Sequence, residues 1–469
     1  MSIKTPNTKI NLINNRIKYG TDGGINVDSN ALFVNASTGR VGINTTNPTS
    51  LLDISGSVKS CGIPDYSNST GNDTQILINV NREDLWSYTG YQYQGSDFIP
   101  SFPESGSNAV TQNVAYIGPY TRTNYKYFGG CVASTGKIYM FPLVSSWTGW
   151  TQNIGIFDPY TETVDITTLS VNNVPLLNGC GFVGGVAADN GLIYGIPWNT
   201  PRIPIINPVN NSITFIEGID TALNKYRGGV LAPNGKIYCA PGYNFSTGSF
   251  IRSIGVIDTV TNTFSTIDIS GLPAGSGTTL GYYGGAIGGN GRIYFAPHTN
   301  SGGKVLRVDP TNNAWAYIDL SGLNLATQYG ANTLPDGNVM LMPFNNGRFH
   351  KINVSTETVS AASISNRPYE IQGGCLGSDG NIYCIPGYSR DISLAIINTS
   401  TNQVTIRGNC FPNPDPSGNN VQDIYLGSVL APNGKIYLIP SRGSFVSSIK
   451  TGIPTLQPYV FNDNFNRAF

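Results

Sequence analysis

His298 and His350 supply all the imidazole in the chain, and imidazole is the usual general base and metal ligand near neutral pH. The two take unlike places in the repeat described below. His298 directly follows a repeat proline, which predicts a variable loop, whereas His350 precedes Lys351 in a predicted strand. A symmetric metal site is therefore not expected. Seven cysteines, an odd number without paired spacing, make neither a disulfide framework nor a zinc site. No His-x-x-x-His pair, nucleophile elbow or phosphate loop occurs. The reading is a non-enzymatic chain with no cofactor and no metal. What remains for chemistry is aromatic: Trp147, Trp150, Trp198, Tyr243 and Phe245, with Tyr388 beside Arg390, all in polar stretches. Such rings stack on the C–H faces of pyranoses while Asn, Ser and Arg bond the hydroxyls, so these seven are the candidate ligand-binding residues.

The elements that must position them repeat seven times. A first glycine stands at Gly129, Gly184, Gly228, Gly284, Gly330, Gly373 and Gly427, with a second glycine 7 residues on and a proline 13 on in every copy. The intervals of 55, 44, 56, 46, 43 and 54 residues are those of propeller blades. The fold class is therefore all-β, a seven-bladed β-propeller of four-stranded blades. Residues 110–460 are kelch- or NHL-like in this sense, but kelch's ordered Tyr and Trp are missing and no Trp-Asp dipeptide or sialidase box is present.

The third copy shows how one blade is written. Gly228 to Ala232 is a small-residue apolar run suited to an innermost strand, and Asn234-Gly235 predicts a two-residue hairpin with both φ angles positive. Lys236 to Ala240 returns as a second strand, Ile254 to Asp258 is a third, and Phe264 to Ile269 the outer fourth. Third strands end in Asp158, Asn207, Asp258, Asp309, Asn353 or Asn398. A side-chain oxygen there can accept from amides two residues on, so recurrence makes these carboxylates turn residues rather than catalysts. Tyr127, Tyr226, Tyr282 and Tyr425, two residues before the first glycine, are expected to pack between blades. Cys375 and Cys384 would face one another across the Asp379-Gly380 turn, where a bridge is geometrically open. Two buried thiols are the expectation for assembly in a reducing cell. The seventh copy lacks an outer strand, and either residues 113–118 or Leu456 to Phe461 should supply it, since a ring is best closed without a free edge.

Composition bounds the partners. Charged residues are 12% of the chain and the net charge is zero, so neither nucleic acid nor an acidic membrane surface is indicated. No stretch is apolar for the ~18–20 residues that would span a bilayer. Met1 to Asn14 carries no apolar run of signal-peptide length. An outward-facing composition without an export signal fits a particle component released by lysis.

Three divisions are read: residues 1–58, an oligomerising or attachment segment; 59–108, a connector with a strand at Gln75 to Val80; and 109–469, the propeller. In the first, the apolar strands Ile10–Ile13, Ala31–Val34 and Leu51–Ile54 are too short and sparse for an independent core. Identical chains winding together would supply the missing surface.

Gly39, Val41, Gly42, Ile43, Thr45, Pro48, Leu52, Asp53, Ile54 and Gly56 follow a pattern that resembles a segment of phage tail fibres and related trimeric surface fibres. Asn44 stands where that pattern has glycine, and the self-cleaving C-terminal domain often found in such fibres is absent. The resemblance covers under a tenth of the chain. It implies a homotrimeric virion fibre or spike, assembled in the host cytoplasm, joined to other capsid or tail proteins at its N-terminus. The propeller head would be displayed for host attachment to a glycan receptor. A purely structural capsid or tail decoration and a polysaccharide-degrading propeller enzyme are the alternatives.

Overall fold

The computed structural model describes five short strands before residue 55 and residues 110–117, 125–143, 153–170, 181–220, 225–244, 249–272, 281–298, 303–323, 328–344, 348–363, 371–387, 393–408, 410–411 and 423–451. The chain divides into two compact units, Met1–Asn79 and Val80–Phe469.

In the first unit, Ile17–Tyr19, Ile25–Val27, Leu32–Val34, Val41–Ile43 and Leu52–Ile54 form one sheet in sequence order. The first four pair antiparallel, and the last lies parallel to the fourth, Val41 opposite Leu52 and Ile43 opposite Ile54. The Val-Gly-Ile and Leu-Asp-Ile halves of the fibre-like pattern are thus neighbouring strands. The expected strands at Ile10–Ile13 and Gln75–Val80 lie outside the described residues.

The second unit is a seven-bladed β-propeller of four-stranded antiparallel blades. Blade three runs Tyr226–Leu231, Lys236–Pro241, Ser253–Asp258 and Thr263–Asp268, in that order from the axis outward. Its first two strands are buried almost throughout, and its outer strand is mostly exposed. First strands of successive blades pack on one another, and the seventh packs on the first. Blade seven takes its outer strand from Val110–Tyr116, which pairs antiparallel with Phe445–Lys450. This is the first of the two predicted closures; Leu456 to Phe461 lies outside the described residues.

Two details of the blade differ from the sequence reading. Every first glycine has positive φ, 90° at Gly228, and marks a one-residue bulge: Tyr226 pairs with Pro241, but Gly229 pairs with Cys239. Glycine is there to supply a left-handed backbone at a bulge. Crowding acts one residue later, where a Cβ on Gly229 would lie 2.7 Å from Ile196 Cδ1 of blade two. The hairpin is also not the predicted two-residue type. Gly235 N–H donates to Ala232 O at 3.0 Å and Ala232 N–H to Lys236 O at 2.8 Å, with φ positive at Gly235 but not at Asn234. Pro233 holds φ negative, so the turn centres on Pro233-Asn234 and Gly235 becomes the bulge that follows.

Blades are strapped at the face carrying these hairpins. The second-strand tyrosine of one blade reaches the outer turn of the next: Tyr139 donates to Asn211 Oδ1 at 2.7 Å, Tyr194 to Asn262 Oδ1 at 2.6 Å and Tyr238 to Asn313 Oδ1 at 2.8 Å. These asparagines sit at φ of 53–60°, so each serves its own turn and its neighbour. The third-strand carboxylates close turns as expected. Asp258 Oδ1 accepts from Val260 and Thr261 amides at 3.0 and 3.1 Å, and Asn207 and Asn398 act alike. Cys375 pairs with Tyr383 and Cys384 with Gly374, so the two sulfurs are not opposite one another. Both are buried thiols outside any disulfide. Side-chain alternation along a strand sends neighbouring residues to opposite faces.

Candidate binding site at the channel mouth

Each first strand begins at the face opposite the hairpins, where blades are connected. Its early residues alternate. Tyr127, Tyr226, Tyr282 and Tyr425 turn sideways into clusters shared by adjacent blades, as expected. The next residue of each strand points the other way, toward the axis. Phe128, Val183, Tyr283, Tyr329 and Leu426 therefore meet in one cluster although they come from blades one, two, four, five and seven. Only the central channel brings those blades together. Arg227 and Gln372 hold the same place in blades three and six.

Around the axis the rings are layered. Tyr283 and Tyr329 stack at 3.9 Å between centroids, and Tyr329 stacks on Phe344 at 4.9 Å. The Tyr329 hydroxyl donates to that of Tyr283 at 2.9 Å. The Arg227 guanidinium lies 4.9 Å from the Tyr283 centroid and 5.4 Å from that of Trp198. A cation over aromatic faces in a desolvated place is attracted by ~2 kcal/mol. Arg227 is 5% exposed, so its charge is displayed inside the mouth rather than to bulk water.

The second side of the mouth is polar. Gln372 Nε2 donates to Asp423 Oδ1, and the Tyr125 hydroxyl donates to Asp423 Oδ2 at 3.1 Å. Arg442 covers the Tyr125 ring at 4.2 Å and donates to its hydroxyl. Lys126 Nζ donates to Gly443 O at 2.7 Å, and burial lowers its pKa to about 8. Among the described residues, Trp198 Nε1 and Gln372 Oε1 belong to the buried polar atoms without a hydrogen-bond partner.

His298 ends the second strand of blade four instead of lying in a variable loop, because that strand continues past Pro297 and Gly281 pairs with it. It is buried against Tyr283 at 4.9 Å and Tyr329 at 5.5 Å. Burial, then the Arg227 charge, pushes its pKa well below the usual value, so the ring is neutral. His350 lies in the third strand of blade five, as predicted, and is fully buried there. Among the described residues no three His, Cys, Asp or Glu side chains are grouped to hold a metal ion.

Of the seven predicted ligand residues, Trp198 joins the mouth, half-buried in the loop after Pro197. Tyr243 is 8% exposed and packs where blade four begins, its Cβ 3.1 Å from the place a Gly281 Cβ would take. That burial gives it a packing role at the seam between blades three and four. Trp147, Trp150, Phe245, Tyr388 and Arg390 lie outside the described residues. The axis residues Phe128, Arg227, Tyr283, Tyr329 and Gln372 went unnoticed in the sequence. Their signal was variation: the place before the first glycine holds Phe, Val, Arg, Tyr, Tyr, Gln and Leu, among positions that otherwise repeat.

No protein-family model matches this sequence, and no curated protein matches it either. Solved structures share the ring. A streptogramin B lyase is similar at 13% identity and a TM-score of 0.54, over 73% of this chain and 98% of that one. Virginiamycin B lyase from Staphylococcus aureus is similar at 11% identity and 0.52, over 73% and 99%. Kuenenia stuttgartiensis hydrazine synthase is similar at 15% identity and 0.51, over 72% and 99%. Identities this low show the fold alone.

Proposed function

We propose that this chain is a non-enzymatic virion fibre or spike protein whose propeller is the displayed head, binding a host-surface glycan at the channel mouth. One observation carries the reading: the places where the seven copies differ converge on that mouth as rings, a guanidinium and amides, while the recurrent Asp, Asn, Gly and Tyr residues are spent on turns and straps. Rings with flanking polar groups are what sugar recognition uses. The fibre-like strands at Val41–Ile43 and Leu52–Ile54 support a trimerising, particle-anchored N-terminus. Three tethered heads would convert weak single sites into firm attachment through effective concentration. Fold likeness to lyases at 11–13% identity does not carry their chemistry here.

The test is adsorption. Purified full-length protein should block attachment of the particle to host cells in a dose-dependent way. Undiminished adsorption at saturating protein would favour a decoration role and overturn the head reading.

A further inference from the structure

Two of the buried groups at the channel mouth, Gln372 and Trp198, have hydrogen-bonding capacity that is unspent. Gln372 is 1% exposed; its Nε2 is committed to Asp423, and its Oε1 has no partner. Trp198 Nε1, an N–H that can only donate, is likewise without a partner. A buried polar atom left so costs about 1–3 kcal/mol. A hydroxyl, which both donates and accepts, can serve either group.

The charge at this place narrows the ligand. Arg227 lies against the Trp198 ring whose N–H is unspent. Arg442 and Lys126 stand on the opposite side, with Asp423 as the facing carboxylate. Both Asp423 oxygens already accept from neutral donors, Gln372 and Tyr125. A guanidinium is suited to a carboxylate by its planar fork of donors. The half-buried rings of Trp198 and Phe344 offer flat apolar surface to the C–H face of a sugar.

We propose that the channel mouth binds an acidic sugar, its carboxylate facing Arg227 and its hydroxyls taken by Trp198 Nε1 and Gln372 Oε1. This rests on the reading of the propeller as a glycan-binding head and adds the charge class of the glycan.

The experiment measures binding of full-length protein by calorimetry to two matched pairs: sialyllactose with its methyl ester, and oligogalacturonate with its methyl ester. Within each pair the ring chemistry is kept and only the carboxylate is masked. The expected result is binding of the acid in at least one pair about tenfold or more tighter than its neutral partner. Arg227→Gln should abolish that preference. Trp198→Phe keeps an aromatic ring over which the guanidinium can lie, removes the N–H together with part of the indole, and should weaken the acid severalfold. It reports on the site even if Arg227→Gln fails to fold.

Equal affinity for acid and neutral members, or acid binding unchanged by both substitutions, would overturn the inference and leave a glycan-binding head standing. Binding to neither pair also overturns it, whereas the head reading is decided separately by adsorption.

Discussion

Tyr437 of the last blade donates its hydroxyl to the carbonyl oxygen of Pro159 in the first, at 3.1 Å. The contact has the form of the strap that joins Tyr139, Tyr194 and Tyr238 to the blades after them. It is reinforced by Asn433, whose Nδ2 donates both to Pro159 O and to the Tyr437 hydroxyl at 2.8 Å, and by Lys435, paired with Glu162 at 2.7 Å. The seam where the ring begins and ends is therefore bonded like the interior ones. Blades five and six depart from this form. In blade five Met340 takes the tyrosine's place and Lys351 Nζ spans to Thr399 O at 3.3 Å, and in blade six Tyr383 donates to Asp379 Oδ2 of its own hairpin at 2.8 Å.

Removing the closing hydroxyl should weaken the ring modestly. Tyr437→Phe is expected to lose about 1 kcal/mol, read as a lower urea midpoint with an unchanged slope. The same loss from Tyr238→Phe would show that closing and interior seams are equivalent.

Gly228→Ala places a side chain at φ 90° and is expected to cost about 1–2 kcal/mol or more from backbone strain. Gly322→Ala is the control, since its Cβ would meet nothing within 4 Å and φ is not positive. It should be neutral or slightly stabilising by denaturant titration.

Acid should weaken the propeller before it protonates the turn carboxylates. Burial lowers the His350 pKa to about 4, against about 6.5 in an unfolded chain. Its contribution is complete above pH 6.5 and drains away as pH falls through 4, because the unfolded state takes the proton first. The Asp258 carboxyl, held near 2 chiefly by the Thr261 amide and then by Lys236, adds its loss only below about pH 4. A urea series across pH should show two phases, and His350→Leu should shrink the upper one, leaving the share that His298 contributes.

Much of this architecture was readable because it repeats. Six third-strand turns with Asp or Asn in one place identify themselves as construction, and their amide bonds bear that out at Asp258, Asn207 and Asn398. The missing fourth strand of blade seven could be located for the same reason, and Val110–Tyr116 fills it. The site was less legible. Which side of a first strand faces the axis depends on the bulge at the first glycine, and a bulge leaves no mark in hydrophobic pattern. Arg227 and Gln372 thus passed unremarked in the sequence, and it is the ring curvature that brings them to one mouth. His298 misled because its proline looked like a strand end, although in blade four the pairing runs one residue further.

Assembly should separate from folding at the N-terminus. A chain lacking residues 1–58 retains Val110–Tyr116 and is expected to run as a monomeric propeller on gel filtration, where the full chain runs as a trimer. A trimer from the shortened chain would move the self-association to the propeller.

The borrowed outer strand also sets a timetable for synthesis. Val110–Tyr116 leaves the ribosome before blade one, yet its partner Phe445–Lys450 emerges only after six blades have been made. Until then the growing arc has an unpaired strand at its start and an open blade face at its end, both prone to wrong partners. Closure links residues more than 300 apart in sequence, such as Asn113 and Ser447 at 2.7 Å, and contacts of that range form slowly. Any stop codon ahead of Phe445 therefore yields a chain with no means of completing its ring, whatever the stability of the six blades already made.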